Sequence, residues 1–182
     1  MARQGPLQRS TPAWTTAIDC REVESVWLNR KRLEATVPGC ATIANVSTEL
    51  LDIQRLLYDY AWGCDEGDWA LLRSVFSDDA ELDYSSTGGP AGGRDEVVAW
   101  LESSLSGIRI QHVVSNFRID VKGDSAVGKA MFLTTVHLEG QGQPLTTGGY
   151  YDLGFVRVHN RWMIHRLCED NRWMDPAPVN IS

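Results

Sequence analysis

Nowhere in the 182 residues do about 18 apolar side chains follow one another, so no segment has the make-up of a membrane-spanning helix. The N-terminal region also lacks the continuous apolar core of a secretory signal, and a cytoplasmic protein is expected. The four cysteines, Cys20, Cys40, Cys64 and Cys168, form no CxxC pair and no zinc-like spacing, so reduced thiols and no metal are expected. Ser, His and Asp are present, but without the GxSxG elbow that would place a hydrolase nucleophile. The glycine-rich "GGPAGG" lacks the GK[ST] that grips phosphate and magnesium, and no cofactor is expected.

Basic charge is scarce where it would matter for nucleic acid. Residues 1–45 carry six Lys/Arg against four Asp/Glu, whereas residues 46–182 carry eleven against twenty, a net of −9 within a chain total of −7. An acidic body repels a phosphate backbone, and "RKR" at Arg30 to Arg32 reads as a solvated patch, so no nucleic-acid partner is expected. With 43% hydrophobic and 23% charged residues, the chain has enough apolar material for one domain with a real core.

Residues 1–45 show no sustained period and read as a loosely ordered extension. A natural start at Val46 is a second possibility, with Ser47 as N-cap of the helix that follows. From Ser47, Leu50, Ile53, Leu57, Tyr60, Ala61 and Cys64 recur at three- and four-residue steps, one apolar stripe on a helix. Asp68 is placed to cap a short helix through "WALLRSVF", and "RDEVVAWLESSL" predicts a third. The period then falls to two. "IQHVVSNFRIDV", "SAVGKAMFLTTVHLE", "TTGGYYDLGFVRV" and "RWMIHRLCED" read as four strands in a meander, with turns at "KGD" and "HN". The domain is expected over residues 46–175, with a tail at 176–182. Its class is α+β, a curved sheet over three helices with a pocket between them.

Alternation along the strands sends His112, Val114 and Asn116 to one side, and Met131, Leu133, Thr135 and His137 to one side of the next strand. Pairing through "KGD" would set His112 near residues 135–137, with two imidazoles facing one space. A strand histidine is often merely structural; a pair beside a polar helix end suits proton transfer near neutral pH. Asp65 closes its helix against the dipole, which favours a cation there, so orienting a histidine is one reason for its presence; forming a turn is the other. Tyr60 lies in the apolar stripe and Tyr84 alternates inward with Ala80 and Leu82, each able to offer a hydroxyl to an oxyanion or merely to a backbone carbonyl. Of Tyr150, Tyr151 and Asp152 only one parity faces inward, and Tyr150 is the candidate taken.

Taken together, "LLYDYAWGCDEGDWALLRSVFSDDAELDY", "GPAGGRDEVVAWL", "QHVVSN" and "TTGGYYDLGFVRVHNRWMIHRL" resemble the SnoaL-like branch of the nuclear transport factor 2-like superfamily over about residues 46 to 175. The resemblance implies a cone-shaped α+β barrel around a deep apolar pocket, and a homodimer or homotrimer. Relatives include polyketide cyclases, scytalone dehydratase, bile-acid dehydratases and ketosteroid isomerases, along with non-catalytic proteins, so fold alone does not name the reaction. Tyr60, Asp65 and His112 match the positions of the dehydratase Tyr, Asp and His, and His137 stands where scytalone dehydratase has a second His. The bile-acid dehydratase Asp is missing, and Arg166 is only a loose match for its late Arg. The ketosteroid isomerase and epoxide hydrolase patterns fit less well.

The expected catalytic set is therefore His112, Asp65, Tyr60 and His137, with Tyr84, Asn116, Thr135 and Tyr150 binding substrate. It implies a cofactor-independent lyase or isomerase of dehydratase type, acting on a hydrophobic cyclic molecule such as a polyketide, steroid or terpenoid. The alternative is a non-catalytic small-molecule binding or accessory protein using the same pocket.

Overall fold

The computed structural model describes residues 40–140 and 142–176, with side chains from Thr48 onward. The elements in order are α1 (Cys40–Glu66), α2 (Trp69–Ser74), β1 (Phe76–Asp83), β2 (Ala91–Gly93), α3 (Arg94–Leu105), β3 (Arg109–Lys122), β4 (Ser125–His137), β5 (Leu145–Val158) and β6 (Arg161–Asp175). The class is α+β, as the change of period from 3.6 to 2 implies. Most of the expected extension lies outside the described residues. α1 already runs from Cys40, so Ser47 is inside the helix and does not cap it. No helix among the described residues is long and apolar enough to cross a membrane.

α1 buries Ile53, Leu57, Tyr60 and Cys64 on one face, the stripe read from the sequence. Each such aliphatic side chain removed from water contributes roughly 1.5–3 kcal/mol. The helix ends where Gly67 takes a positive φ of 68°, after which the Asp68 carboxylate accepts the Leu71 N–H at 2.9 Å and starts α2. Gly63 lets α2 approach, because a Cβ there would stand 3.0 Å from Leu72 Cβ. α3 packs Val97, Val98 and Leu101 into the same core.

The strands form one sheet in the order β2-β1-β6-β5-β4-β3, curved and not closed. All neighbours are antiparallel except β1 and β6, a parallel pair outside the expected meander. The β5–β6 hairpin turns at His159 and Asn160 with φ of 48° and 63°, the doubly positive geometry of a type I′ turn. Register shifts fall between Ser115 and Arg118 in β3 and between Gly154 and Phe155 in β5. Such bulges bend a sheet and change which side chains share a face.

Cys64 is a free buried thiol, whereas Cys168 is disulfide-bonded, which corrects the expectation of four reduced cysteines.

Candidate active site

β3 is an edge strand, so the backbone N–H groups on its outer side have no partner strand. At His112 that vacancy is filled by the end of α1. The Asp65 carboxylate accepts the His112 backbone N–H, at 2.9 Å to Oδ2 and 3.1 Å to Oδ1, and its Oδ1 also lies 2.5 Å from His112 Nδ1. Two donors on one carboxylate, the His112 backbone N–H shared between its oxygens and the ring Nδ1, answer why an acid stands at this helix end, since hydrogen bonds to a charged group are worth about 1.5–3 kcal/mol each and outweigh the dipole term. The two side chains are 17% and 7% exposed, which keeps the contact largely dry.

A carboxylate only accepts, so the imidazole must place its proton on Nδ1 and leave the Nε2 lone pair unused. That is the arrangement of an oriented general base.

Next to the pair stands a cluster of phenols. The rings of Tyr60 and His112 meet edge to face at 6.2 Å. Tyr60 Oη lies 2.8 Å from Tyr84 Oη and donates to Tyr151 Oη at 3.4 Å. Each hydroxyl has one proton, so Tyr84 donates to Tyr60, Tyr60 to Tyr151, and the Tyr151 proton is left uncommitted. Burial, followed by the nearby Tyr151, pushes Tyr60 and Tyr84 well above the ordinary tyrosine range. For Tyr151 burial leads and the nearby Glu169 adds to it. All three stay neutral donors.

Tyr151 and Glu169 are cross-strand partners on β5 and β6 and were not singled out from the sequence. Glu169 is 9% exposed, and its Oε1 has no hydrogen-bond partner. Burial raises its carboxyl above the usual range, while the Thr87 hydroxyl and the His112 ring pull the other way.

The other expected residues do not join this group. His112 pairs with Thr134, and His137 pairs with Arg109, three positions further along. Odd-numbered β4 residues thus face away from His112: His137 is exposed and Thr135 lies on the far side of the sheet from buried Thr134. Asn116 occupies the bulge with φ of 52°, exposed, its amide against the Met131 sulfur. Tyr150 faces outward, 37% exposed, under the cations of Lys129 and Arg172. Arg166 is on that outer face too: burial pushes the Asp152 carboxyl up, while Lys129 and, more weakly, Arg166 pull it down. The structure thus brings Tyr60, Asp65, His112 and Tyr84 together, adds Tyr151 and Glu169, and leaves out His137, Asn116, Thr135 and Tyr150.

Elsewhere, Ser77 Oγ and Asp79 Oδ1 approach His165 at 3.1 and 3.3 Å, but both at Nδ1, so no relay from serine through the ring to the acid exists. Among the described residues no three His, Cys, Asp or Glu side chains gather as a metal site.

Comparison with known proteins shows the family and the fold. The family model described as a SnoaL-like domain matches residues 46–168. Rv2910c, an uncharacterised protein of Mycobacterium tuberculosis, is 33% identical over 130 residues, covering 70% of this chain and 88% of its own. Among solved structures, a putative scytalone dehydratase from Novosphingobium aromaticivorans superposes with a TM-score of 0.68 at 23% identity, over 76% of this chain and 93% of that one. A hexachlorocyclohexane dehydrochlorinase, LinA type 2, gives 0.66 at 22% identity, over 76% and 99%. At these identities the two structures establish the fold.

Proposed function

The chain belongs to the SnoaL-like domain family, and from that premise we propose that it is a cofactor-independent lyase of dehydratase type acting on a hydrophobic cyclic substrate. The observation that carries this is the Asp65–His112 contact, with three neutral phenols beside the histidine. The names of two structural neighbours denote loss of water and loss of hydrogen chloride, eliminations that begin by removing a proton.

In this mechanism Nε2 of His112 takes a proton from the carbon next to a ring carbonyl. Asp65 holds the ring and stabilises the imidazolium that forms. The electron pair moves into the carbonyl, and the developing enolate oxygen is held by donors of the tyrosine cluster centred on Tyr60. Collapse of the enolate expels a hydroxyl from the β carbon and leaves a double bond conjugated to the carbonyl. If no leaving group is present, returning the proton at another carbon makes the same machinery an isomerase. The substrate proposed is one of fused rings, of polyketide, steroid or terpenoid kind. The assembly proposed is a homodimer or homotrimer.

The test is loss of water from a β-hydroxytetralone, followed as naphthol formation. Turnover by the wild-type protein that falls roughly 10²- to 10⁴-fold in His112→Ala supports the mechanism. Binding of the tetralone without any naphthol would instead identify a non-catalytic binding protein.

A further inference from the structure

Resting on the elimination just described, we propose that Glu169 is a further catalytic residue, the acid that gives its proton to the departing oxygen. Three observations converge on it. Glu169 is buried on β6 directly across from Tyr151, the one phenol whose proton is uncommitted within the tyrosine cluster. Its Oε1 is buried without a partner, in a structure where buried polar atoms are otherwise mostly bonded. It also lies near enough to His112 for the two to interact electrostatically.

Thr87 and Ser86 hydrogen-bond this carboxyl, yet its Oε1 stays buried without a partner, which costs stability. Burial, the largest influence on this group, favours its neutral form. In its neutral form such a carboxyl, with one unsatisfied oxygen, is a proton donor awaiting an acceptor. The reaction has a place for it, because hydroxide is a poor leaving group and must be protonated as it departs.

The proton and electron account closes. The C–H bond breaks and its proton goes to His112 Nε2. Its electron pair forms the new double bond, passing through the enolate, and the C–O bond breaks with its pair on oxygen. That oxygen takes the Glu169 proton and leaves as water. The imidazolium proton then returns to the Glu169 carboxylate through solvent, and both groups regain their starting state.

This role separates Glu169 from the base, because it matters only when the leaving group needs a proton. The experiment uses two probes: the β-hydroxytetralone and the same ketone with nitrophenoxide in place of the hydroxyl, which departs as a stable anion. Glu169→Gln keeps the size of the side chain and removes the acid. It is expected to slow water loss by roughly 10²- to 10⁴-fold while leaving nitrophenolate release nearly unchanged. His112→Ala is expected to abolish both. If Glu169→Gln slows both probes equally, or neither, the assignment is overturned. An infrared difference spectrum of wild type against Glu169→Gln at neutral pH supplies a readout without substrate. The carbonyl band of a neutral carboxylic acid must be present in the first and missing in the second, and its absence from the wild type overturns the proposal. If the wild type releases neither product, the elimination mechanism itself fails and the role of Glu169 falls with it.

Discussion

Asp65 holds His112 at two places, the ring nitrogen and the backbone N–H of the same residue. The side chain is thereby oriented from both ends, and the edge strand β3 is tied to the end of α1. Position and tautomer of the base are fixed by a single carboxylate.

The two functions of that carboxylate separate on substitution. Asp65→Asn can still accept the backbone N–H through its amide oxygen, but its NH2 group then faces Nδ1 and favours the proton on Nε2. The variant is expected to fold and to lose turnover as severely as His112→Ala. Asp65→Ala leaves the backbone N–H and the ring without their acceptor and is expected to lose about 1–3 kcal/mol of stability as well. Denaturant midpoints beside rate measurements check this; a fully active Asp65→Asn would contradict it.

Within the phenol cluster Tyr60 is the hub. Tyr60→Phe removes the partner of both Tyr84 and Tyr151, whereas Tyr84→Phe leaves Tyr60 still bonded to Tyr151. The expected order of destabilisation is Tyr60→Phe above Tyr84→Phe, with the former about 1–3 kcal/mol, and denaturant titration of both variants reads it. The reverse order would mean that the hydroxyl chain is wrongly connected.

Glu169 gives a signed dependence of stability on pH. Its folded carboxyl holds a proton above the ordinary value of 4.5, chiefly through burial. The native state then binds more protons than the unfolded state between that value and the raised one, so stability is full below the ordinary value and declines as pH rises through the folded one. Glu169→Gln has no such proton. Relative to the wild type it should gain stability with rising pH, and contributions from Asp152 or Asp79 cancel in the difference. Unfolding curves at a series of pH values measure it; a wild type that gains on the variant as pH rises would refute the sign.

His137→Ala is expected to leave turnover intact and to change stability by no more than about 0.5 kcal/mol, because the side chain is exposed on the sheet face away from His112. Rate and melting measurements on that variant check the register. Loss of activity would mean that His137 reaches the reaction after all.

Most of the helical half was legible. The stripe from Ile53 to Cys64, the cap at Asp68 and the extent of α3 follow from periodicity and turn chemistry, and the Asp65–His112 contact is where the helix-end argument put it. What escaped traces to two bulges. Counting back from the Lys122–Ser125 pair without a break sets His112 opposite Thr135; the shift between Ser115 and Arg118 moves the partner to Thr134 and turns Thr135 and His137 to the other face. Counting from the Val158–Arg161 pair sets Tyr151 opposite Cys168; the shift between Gly154 and Phe155 makes the partner Glu169 and brings a carboxyl into the site. A one-residue slip exchanges the faces of a strand, and no period-two pattern announces where it occurs.

The central claim is that His112, held by Asp65, removes a proton next to a ring carbonyl, and it needs no natural substrate to be tested. Incubating α-tetralone with the protein in deuterated water and following deuterium uptake at the carbon beside the carbonyl measures that step alone. The account predicts uptake well above buffer for the wild type and none above buffer for His112→Ala or Asp65→Asn. Uptake at the buffer rate by the wild type, or undiminished uptake in His112→Ala, would contradict it.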